Sequence, residues 1–167
     1  MKKRTEDNLK NAFAGESQAH LKYLAFAAQA DQDKLPNVAR VFRANSFAEQ
    51  IHATNHLRAL AGIGKTGENL AAAVSGEAFE ATTMYPEYVK AAQEDGEKAA
   101  VTTTNHALAA EKVHYEMYNR AGQTVSVGKD LEPKPIHVCG VCGFTMEGDA
   151  PDNCPVCGAP KAKFVKF

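Results

Sequence analysis

Tryptophan is absent from this chain of 167 residues, and its four cysteines are confined to positions 139–157. So few cysteines exclude a disulfide-dense scaffold. Between residues 5 and 121 proline occurs only at Pro36 and Pro86, so little there breaks a helix. No run approaches the roughly 18 to 20 unbroken apolar residues that a membrane span requires. Neither sign of charge dominates: 19 Lys plus Arg stand against 20 Asp plus Glu, a formal net charge of -1. No bulk positive field therefore draws the chain to nucleic acid or to an anionic membrane. A composition 44% hydrophobic and 23% charged is that of a globular protein and excludes general disorder. Met1-Lys2-Lys3-Arg4 has the charge of a secretion signal's first residues, but Thr5-Glu6-Asp7-Asn8 follows where an apolar stretch belongs. The expectation is a cytoplasmic protein with no nucleic-acid or membrane partner.

What is present divides by texture. Residues 5–121 are rich in Ala and Glu and read as helix. Residues 122–135 lack a helical period and end in Pro133-Lys134-Pro135, a linker signature. The tail, rich in Gly and Pro, reads as turns and short strands. The expected domains are 1–122, a linker at 123–135, and 136–167. Four helices are expected in the first. One starts from the capping residues Thr5 to Asn8 and runs to about Asp31. A second, from about Val38 to Leu60, ends at the glycine-type stop Ala61-Gly62-Ile63-Gly64. A third, from about Glu68 to Glu94, is kinked or locally unwound by Pro86. The fourth runs from about Glu97 to Arg120. Four long helices with mostly short connections point to a four-helix bundle.

The glutamates fall on the wrong faces for a plain bundle. Glu16 has Leu9, Ala12, Phe13, Ala19 and Tyr23 as same-face neighbours. Glu49 follows Phe42 by seven residues, and His52 lies one turn on. Glu77 follows Leu70 by seven, with Glu80 at +3 and Met84 at +7. Glu111 follows Ala107 and Leu108, with His114 at +3. Five carboxylates turned into a core without cations would exceed the roughly 5 to 15 kcal/mol that stabilises a domain. Bound metal resolves the conflict. Glu-x-x-His sets a carboxylate and an imidazole one turn apart on one face, and it occurs at Glu49/His52 and again at Glu111/His114. Each copy follows a helix carrying inward acid, so the chain reads as a duplicated helix pair. A Glu from each of two helices plus Glu-x-x-His from the other two is the ligand set of ferritin-like di-iron and di-manganese bundles. Mixed carboxylate and imidazole donors favour iron or manganese over zinc. His20 and His56 read as surface or supporting residues, His106 and His137 carry no signal, and Tyr115 and Tyr118 read as core. Tyr23 is placed to hydrogen-bond into the site.

The tail holds Cys139-Gly-Val-Cys142-Gly and Cys154-Pro-Val-Cys157-Gly. Two such turns, each closed by a glycine, aim four thiolates at one point, a tetrahedral site for zinc or iron. So short a module lacks a sufficient apolar core, and its metal is structural. Phe144, Phe164 and Phe167 are its expected core.

Together these motifs resemble the rubrerythrins, a ferritin-like di-iron domain followed by a rubredoxin-like domain. The resemblance rests on Ala12-Phe13-Ala14-Gly15-Glu16-Ser17-Gln18-Ala19, Glu49-Gln-Ile-His52, Gly76-Glu77-Ala-Phe-Glu80, Glu111-Lys-Val-His114 and both cysteine turns. It implies an all-α ferritin-like four-helix bundle followed by a small metal-bound rubredoxin-like β/loop domain. It implies three iron ions per chain: a di-iron site held by Glu16, Glu49, His52, Glu77, Glu80, Glu111 and His114, and one iron at Cys139, Cys142, Cys154 and Cys157. Exchange of Glu80 for His52 between redox states belongs to the same implication. So does a peroxidase activity reducing hydrogen peroxide to water in oxidative-stress defence, with an NAD(P)H-dependent reductase or a rubredoxin as electron donor. The family also implies a homodimer, often with helix pairs exchanged, in which the rubredoxin domain of one chain faces the di-iron site of the other. Two other readings fit parts of the pattern. A ferroxidase or iron-storage protein would form a large hollow oligomer, and a zinc-bound partner-binding module would be colourless.

Overall fold

A computed structural model describes residues 1–167. The chain divides into two compact units, 1–64 and 65–167. In the first, α1 (Lys3–Gln32) packs on α2 (Pro36–Ala59). The expected capping residues of α1 lie inside the helix, which begins at Lys3 without a side-chain cap. Glu6 and Asp7 there sit near the positive end of the helix and pair with Lys10 and Lys3 at 2.5 and 3.0 Å. Pro36 opens α2, where its missing N–H leaves no hydrogen bond unmade. The α1–α2 seam is built from small residues: Ala27, Ala30 and Ala39 are buried, with Phe42 against them. Small side chains allow close helix approach, and Tyr23, Phe26 and Phe42 cluster beside the seam with ring centroids 5.6 to 6.3 Å apart. The stop after α2 differs from expectation. Ala61, not a glycine, takes the left-handed conformation (φ 55°). At Gly62 a Cβ would lie 2.4 Å from Leu57 Cδ1, so that side chain would have to turn away.

The second unit begins with α3 (Thr66–Phe79), a π-helical stretch (Glu80–Met84) and α4 (Tyr85–Glu94), all packed on α5 (Lys98–Ser126). Glu68 accepts the Lys65 N–H at 2.6 Å to start α3. The interruption expected from Pro86 takes the form of the π-helical stretch just before it. Proline cannot donate to the carbonyl four residues back, and Thr82 Oγ1 donates to the Ala78 carbonyl at 2.6 Å, which further loosens the α-helical pattern. α5 runs past Gly122 to Ser126, so residues 123–126, expected as linker, are helical. Thr124 and Ser126 hydroxyls bond the carbonyls of Arg120 and Gln123, and Gly128 (φ 74°) ends the segment.

The tail forms an antiparallel sheet of order β2-β1-β3, with β1 Ile136–Cys139, β2 Thr145–Glu147 and β3 Phe164–Lys166. Its buried residues are Cys139, Thr145, Ala150 and Cys154. Phe144 and Phe164 are half-buried as expected. Phe167 is 74% exposed and is no part of the core. Side chains alternate along a strand, so the turn that brings Phe164 in points Phe167, three residues on, out with Val165.

Candidate metal centres

In the first unit, α1 contributes Glu16 and α2 contributes Glu49 and His52. One ligand atom from each lies within 4.8 Å of the others. His52 Nδ1 is 2.9 Å from Glu49 Oε2. The register of the two helices is fixed beside this triad. Ser46, 1% exposed, donates to the His20 carbonyl at 2.9 Å, and His20 Nδ1 lies 3.0 Å from the Ser46 carbonyl. His20 is thus a cross-tie, one turn from Glu16. Tyr23 lies in the aromatic cluster of Phe26 and Phe42.

The second unit repeats the arrangement with Glu77 from α3 and Glu111 and His114 from α5, again within 4.8 Å. His114 Nδ1 is 2.7 Å from Glu111 Oε2 and 3.8 Å from Glu77 Oε2. Burial, a hydrogen bond to Glu111 and the charges of Glu111 and Glu80 push the Glu77 carboxyl up to about 7. Its Oε2 is buried without a hydrogen-bond partner. Burial and the Glu111 charge also raise Glu80, against the opposing influence of His114. Glu80, in the π-helical stretch, stands near this triad without belonging to the 4.8 Å group. All these carboxylates are half-buried and His52 is exposed, so they are less enclosed than the periodicity implies.

Two groups were not foreseen. Tyr85 has its hydroxyl pushed up by burial and then by Glu111, Glu80, Tyr88 and Glu77. Thr145 lies 2.8 Å from His114 Nε2. Tyr85 follows Glu80 by five residues, a spacing that α-helical counting assigns to another face, and Thr145 lies in a separate module. Neither had a sequence signal. His56 falls in the last turn of α2, and His137 Nδ1 donates to the Gly148 carbonyl, 2.7 Å away.

The residues fit a metal. An orphaned buried carboxylate oxygen, repelling acids and a neighbouring imidazole form a donor set whose conflict a cation relieves. Carboxylate oxygen with imidazole nitrogen suits iron or manganese.

The four thiols also converge within 4.8 Å. Sγ separations are 3.7 Å for Cys139–Cys157 and 3.6 Å for Cys142–Cys154, and no disulfide forms. Metal–sulfur bonds of about 2.3 Å give a tetrahedron with edges of roughly 3.8 Å, close to this spacing. The two turns match: Gly143 and Gly158 have positive φ, and their N–H groups donate to the Cys139 and Cys154 carbonyls at 2.9 Å. Burial pushes the Cys139 thiol up, but the N–H groups of Val141 and Cys142 outweigh it and bring the thiol down to about 7. Burial pushes Cys142 up to about 12 despite the Phe144 N–H.

Fold and sites define a class: a helical protein bearing carboxylate–imidazole metal triads, joined to a rubredoxin-like tetrathiolate module. Residues 7–122 match the rubrerythrin family, and residues 137–165 match the rubrerythrin rubredoxin-like domain. The chain is 37% identical to rubrerythrin-2 of Clostridium acetobutylicum, over 98% of this chain and 96% of that one. It is 34% identical to nigerythrin of Nitratidesulfovibrio vulgaris, over 98% of this chain and 86% of that one. The fully reduced, all-ferrous nigerythrin structure aligns with a TM-score of 0.55 at 34% identity, covering 98% of this chain and 86% of that chain. The chain belongs to the rubrerythrin family, and its fold is ferritin-like with a small cysteine-bearing strand region. No helix is long and apolar enough to cross a membrane.

Proposed function

We propose that this chain is a non-haem di-iron peroxidase that reduces hydrogen peroxide to water. The observation that carries the reading is the pair of matching triads, Glu16/Glu49/His52 and Glu77/Glu111/His114, one of them with an orphaned carboxylate oxygen. With Glu80 they would hold two irons, and Cys139, Cys142, Cys154 and Cys157 would hold a third. When bound, the paired ferrous ions supply the electrons that break the O–O bond. The carboxylates orient the metals, and Glu80 and Tyr85, both raised in proton affinity by their surroundings, are placed to hold protons beside the site. Tyr85 suits this role because three site carboxylates act on its hydroxyl, whereas Tyr23, expected to hydrogen-bond into the site, lies against Phe26 and Phe42.

Each triad supplies three of the seven proposed ligands, and the helices carry exposed Leu21, Phe47 and Ile51. A homodimer in which helix pairs are exchanged covers such apolar faces and brings a triad of each kind together. The protein is proposed to act in the cytoplasm in defence against oxidative stress. An NAD(P)H-dependent reductase or a rubredoxin would refill the tetrathiolate iron.

Rapid mixing of the anaerobically reduced, iron-loaded protein tests the activity. Oxidation by hydrogen peroxide is expected to be far faster than by dioxygen. Equal rates overturn the peroxidase, and mineral loading of a large hollow oligomer replaces it with storage.

A further inference from the structure

Within the second unit, the rings of Tyr85 and Tyr88 meet edge to face, with centroids 6.1 Å apart and planes at 82°. That separation is aromatic contact. Tyr85 is half-buried, whereas Tyr88 is 51% exposed. The π-helical stretch sets where Tyr85 falls. Its N–H donates to the Glu80 carbonyl, five residues back. A turn closed at that spacing returns Tyr85 to the face of Glu80, which an α-helical turn would not do. The charges of Glu111, Glu80 and Glu77 accordingly all act on the Tyr85 hydroxyl. Tyr88 follows three residues later on α4. One end of the pair thus stands beside the α5 triad and the other meets water.

The chain contains no tryptophan, so tyrosine is its most readily oxidised aromatic side chain. A half-buried phenol that lost an electron alone would hold an unpaired charge in a poorly solvated place, so electron and proton leave it together. Peroxide needs two electrons and two protons to become two waters. A fully reduced iron pair gives both electrons, but a pair holding a single ferrous ion gives one. Peroxide and a lone ferrous ion otherwise yield a hydroxyl radical, which attacks whatever lies nearest.

We propose that Tyr85 supplies the second electron when the helical site holds only one ferrous ion, and that Tyr88 hands the oxidation on to a small soluble hydrogen-atom donor of the enediol or phenol class. The inference rests on the peroxidase reading and adds to it an entry for electrons independent of the four cysteines. In the first step the ferrous ion becomes ferric, Tyr85 gives up its phenolic hydrogen atom, and solvent supplies one proton. The O–O bond breaks and two waters form. Tyr88 then gives an electron to the Tyr85 radical across the ring contact; Tyr88 sheds a proton to solvent and Tyr85 regains one. Last, the soluble donor gives a hydrogen atom to the Tyr88 radical, and both phenols are restored.

The test uses the full-length protein with iron in the helical sites and zinc, which has no electron to give, at the four cysteines. Samples holding one electron per iron pair are mixed with peroxide, rapidly frozen and read by electron paramagnetic resonance. A radical whose signal narrows when ring-deuterated tyrosine is incorporated is expected, and the fully reduced protein should lack it. Tyr85→Phe should lose the signal. Tyr88→Phe should keep the signal but lose its rapid decay on addition of ascorbate, because the remaining radical is half-buried. Tyr118→Phe, at a tyrosine 40% exposed, should behave as wild type. An undiminished signal in Tyr85→Phe, or wild-type decay with ascorbate in Tyr88→Phe, overturns the inference. If peroxide oxidises the fully reduced protein but the half-reduced protein forms no tyrosyl radical, the inference falls and the peroxidase reading stands. If peroxide fails to oxidise the fully reduced protein, both fall.

Discussion

Glu77 concentrates the conflict that the metal resolves. Its carboxyl is raised from 4.5 to about 7 by burial, by its hydrogen bond to Glu111 and by the charges of Glu111 and Glu80. A folded-state value above the unfolded one means that this group favours the folded state at low pH, and that the contribution is lost as pH rises through about 7. Metal-free protein should therefore melt at a lower temperature at pH 8 than at pH 5.5, as far as this group decides. Glu77→Gln should remove that part of the slope and stabilise the metal-free chain at pH 8 by about 1 kcal/mol, the scale of relieving an unpaired buried polar group. An unchanged slope on thermal melting contradicts the assignment. Metal uptake has the opposite sign, because a ligand must lose its proton. Calorimetry of ferrous iron binding in buffers of different ionisation heat should find more protons released at pH 6 than at pH 8, and Glu77→Gln should reduce the difference. At this scale the sequence was highly informative. Glu16, Glu49, Glu77 and Glu111 betray themselves by helical spacing from apolar residues. Tyr85 and Thr145 do not, because their roles depend on a π-helical turn and on a strand brought to α5 from a separate module.

Helix ends and interruptions show how far local rules reach. Pro86 marks a break, since any proline removes an N–H, but proline alone does not say whether the chain kinks, unwinds or widens. Widening to a π-helical stretch shifts every following residue around the axis relative to α-helical counting, which is why Tyr85 appears beside Glu80's neighbours. Gly122 misleads in the other direction. Glycine weakens a helix by about 1 kcal/mol, too little to end one whose flanking turns continue, and α5 goes on to Ser126. At the end of α2 the glycines are legible as a stop, yet the left-handed position falls on Ala61. An alanine pays a steric penalty there that glycine avoids. Ala61→Gly should therefore stabilise the 1–64 unit by about 1 kcal/mol, raising the melting temperature of the metal-loaded protein by a few degrees. Gly62→Ala should do the reverse, because its added methyl meets the Leu57 side chain. Equal melting temperatures for the two variants contradict this account of the turn.

At the scale of the whole molecule, two kinds of stabilisation are at work. The tetrathiolate module rests on its metal: its buried positions include two of the ligands, Cys139 and Cys154, with only Thr145 and Ala150 beside them. Removal of metal should unfold residues 136–167 while most helical circular dichroism persists, and hydrogen exchange should locate the loss in that segment. The helix pairs depend instead on covering apolar surface. Phe47 is 63% exposed and Ile51 45%, one helical turn apart on α2, and neither packs in the Ala27–Ala30–Ala39 seam. Burying side chains of this size is worth roughly 1.5 to 3 kcal/mol each. A charge placed among them opposes any association that covers the face. Phe47→Glu should therefore convert an exchanged dimer to monomer on sedimentation. It should also lower the iron content of the carboxylate–imidazole sites, because each kind of triad is only part of the proposed ligand set. The thiolate–iron band should stay at full strength, since its four ligands come from one module of one chain. Loss of both iron types together would point to general unfolding, and a dimer with full iron would show that another face holds the bundle together.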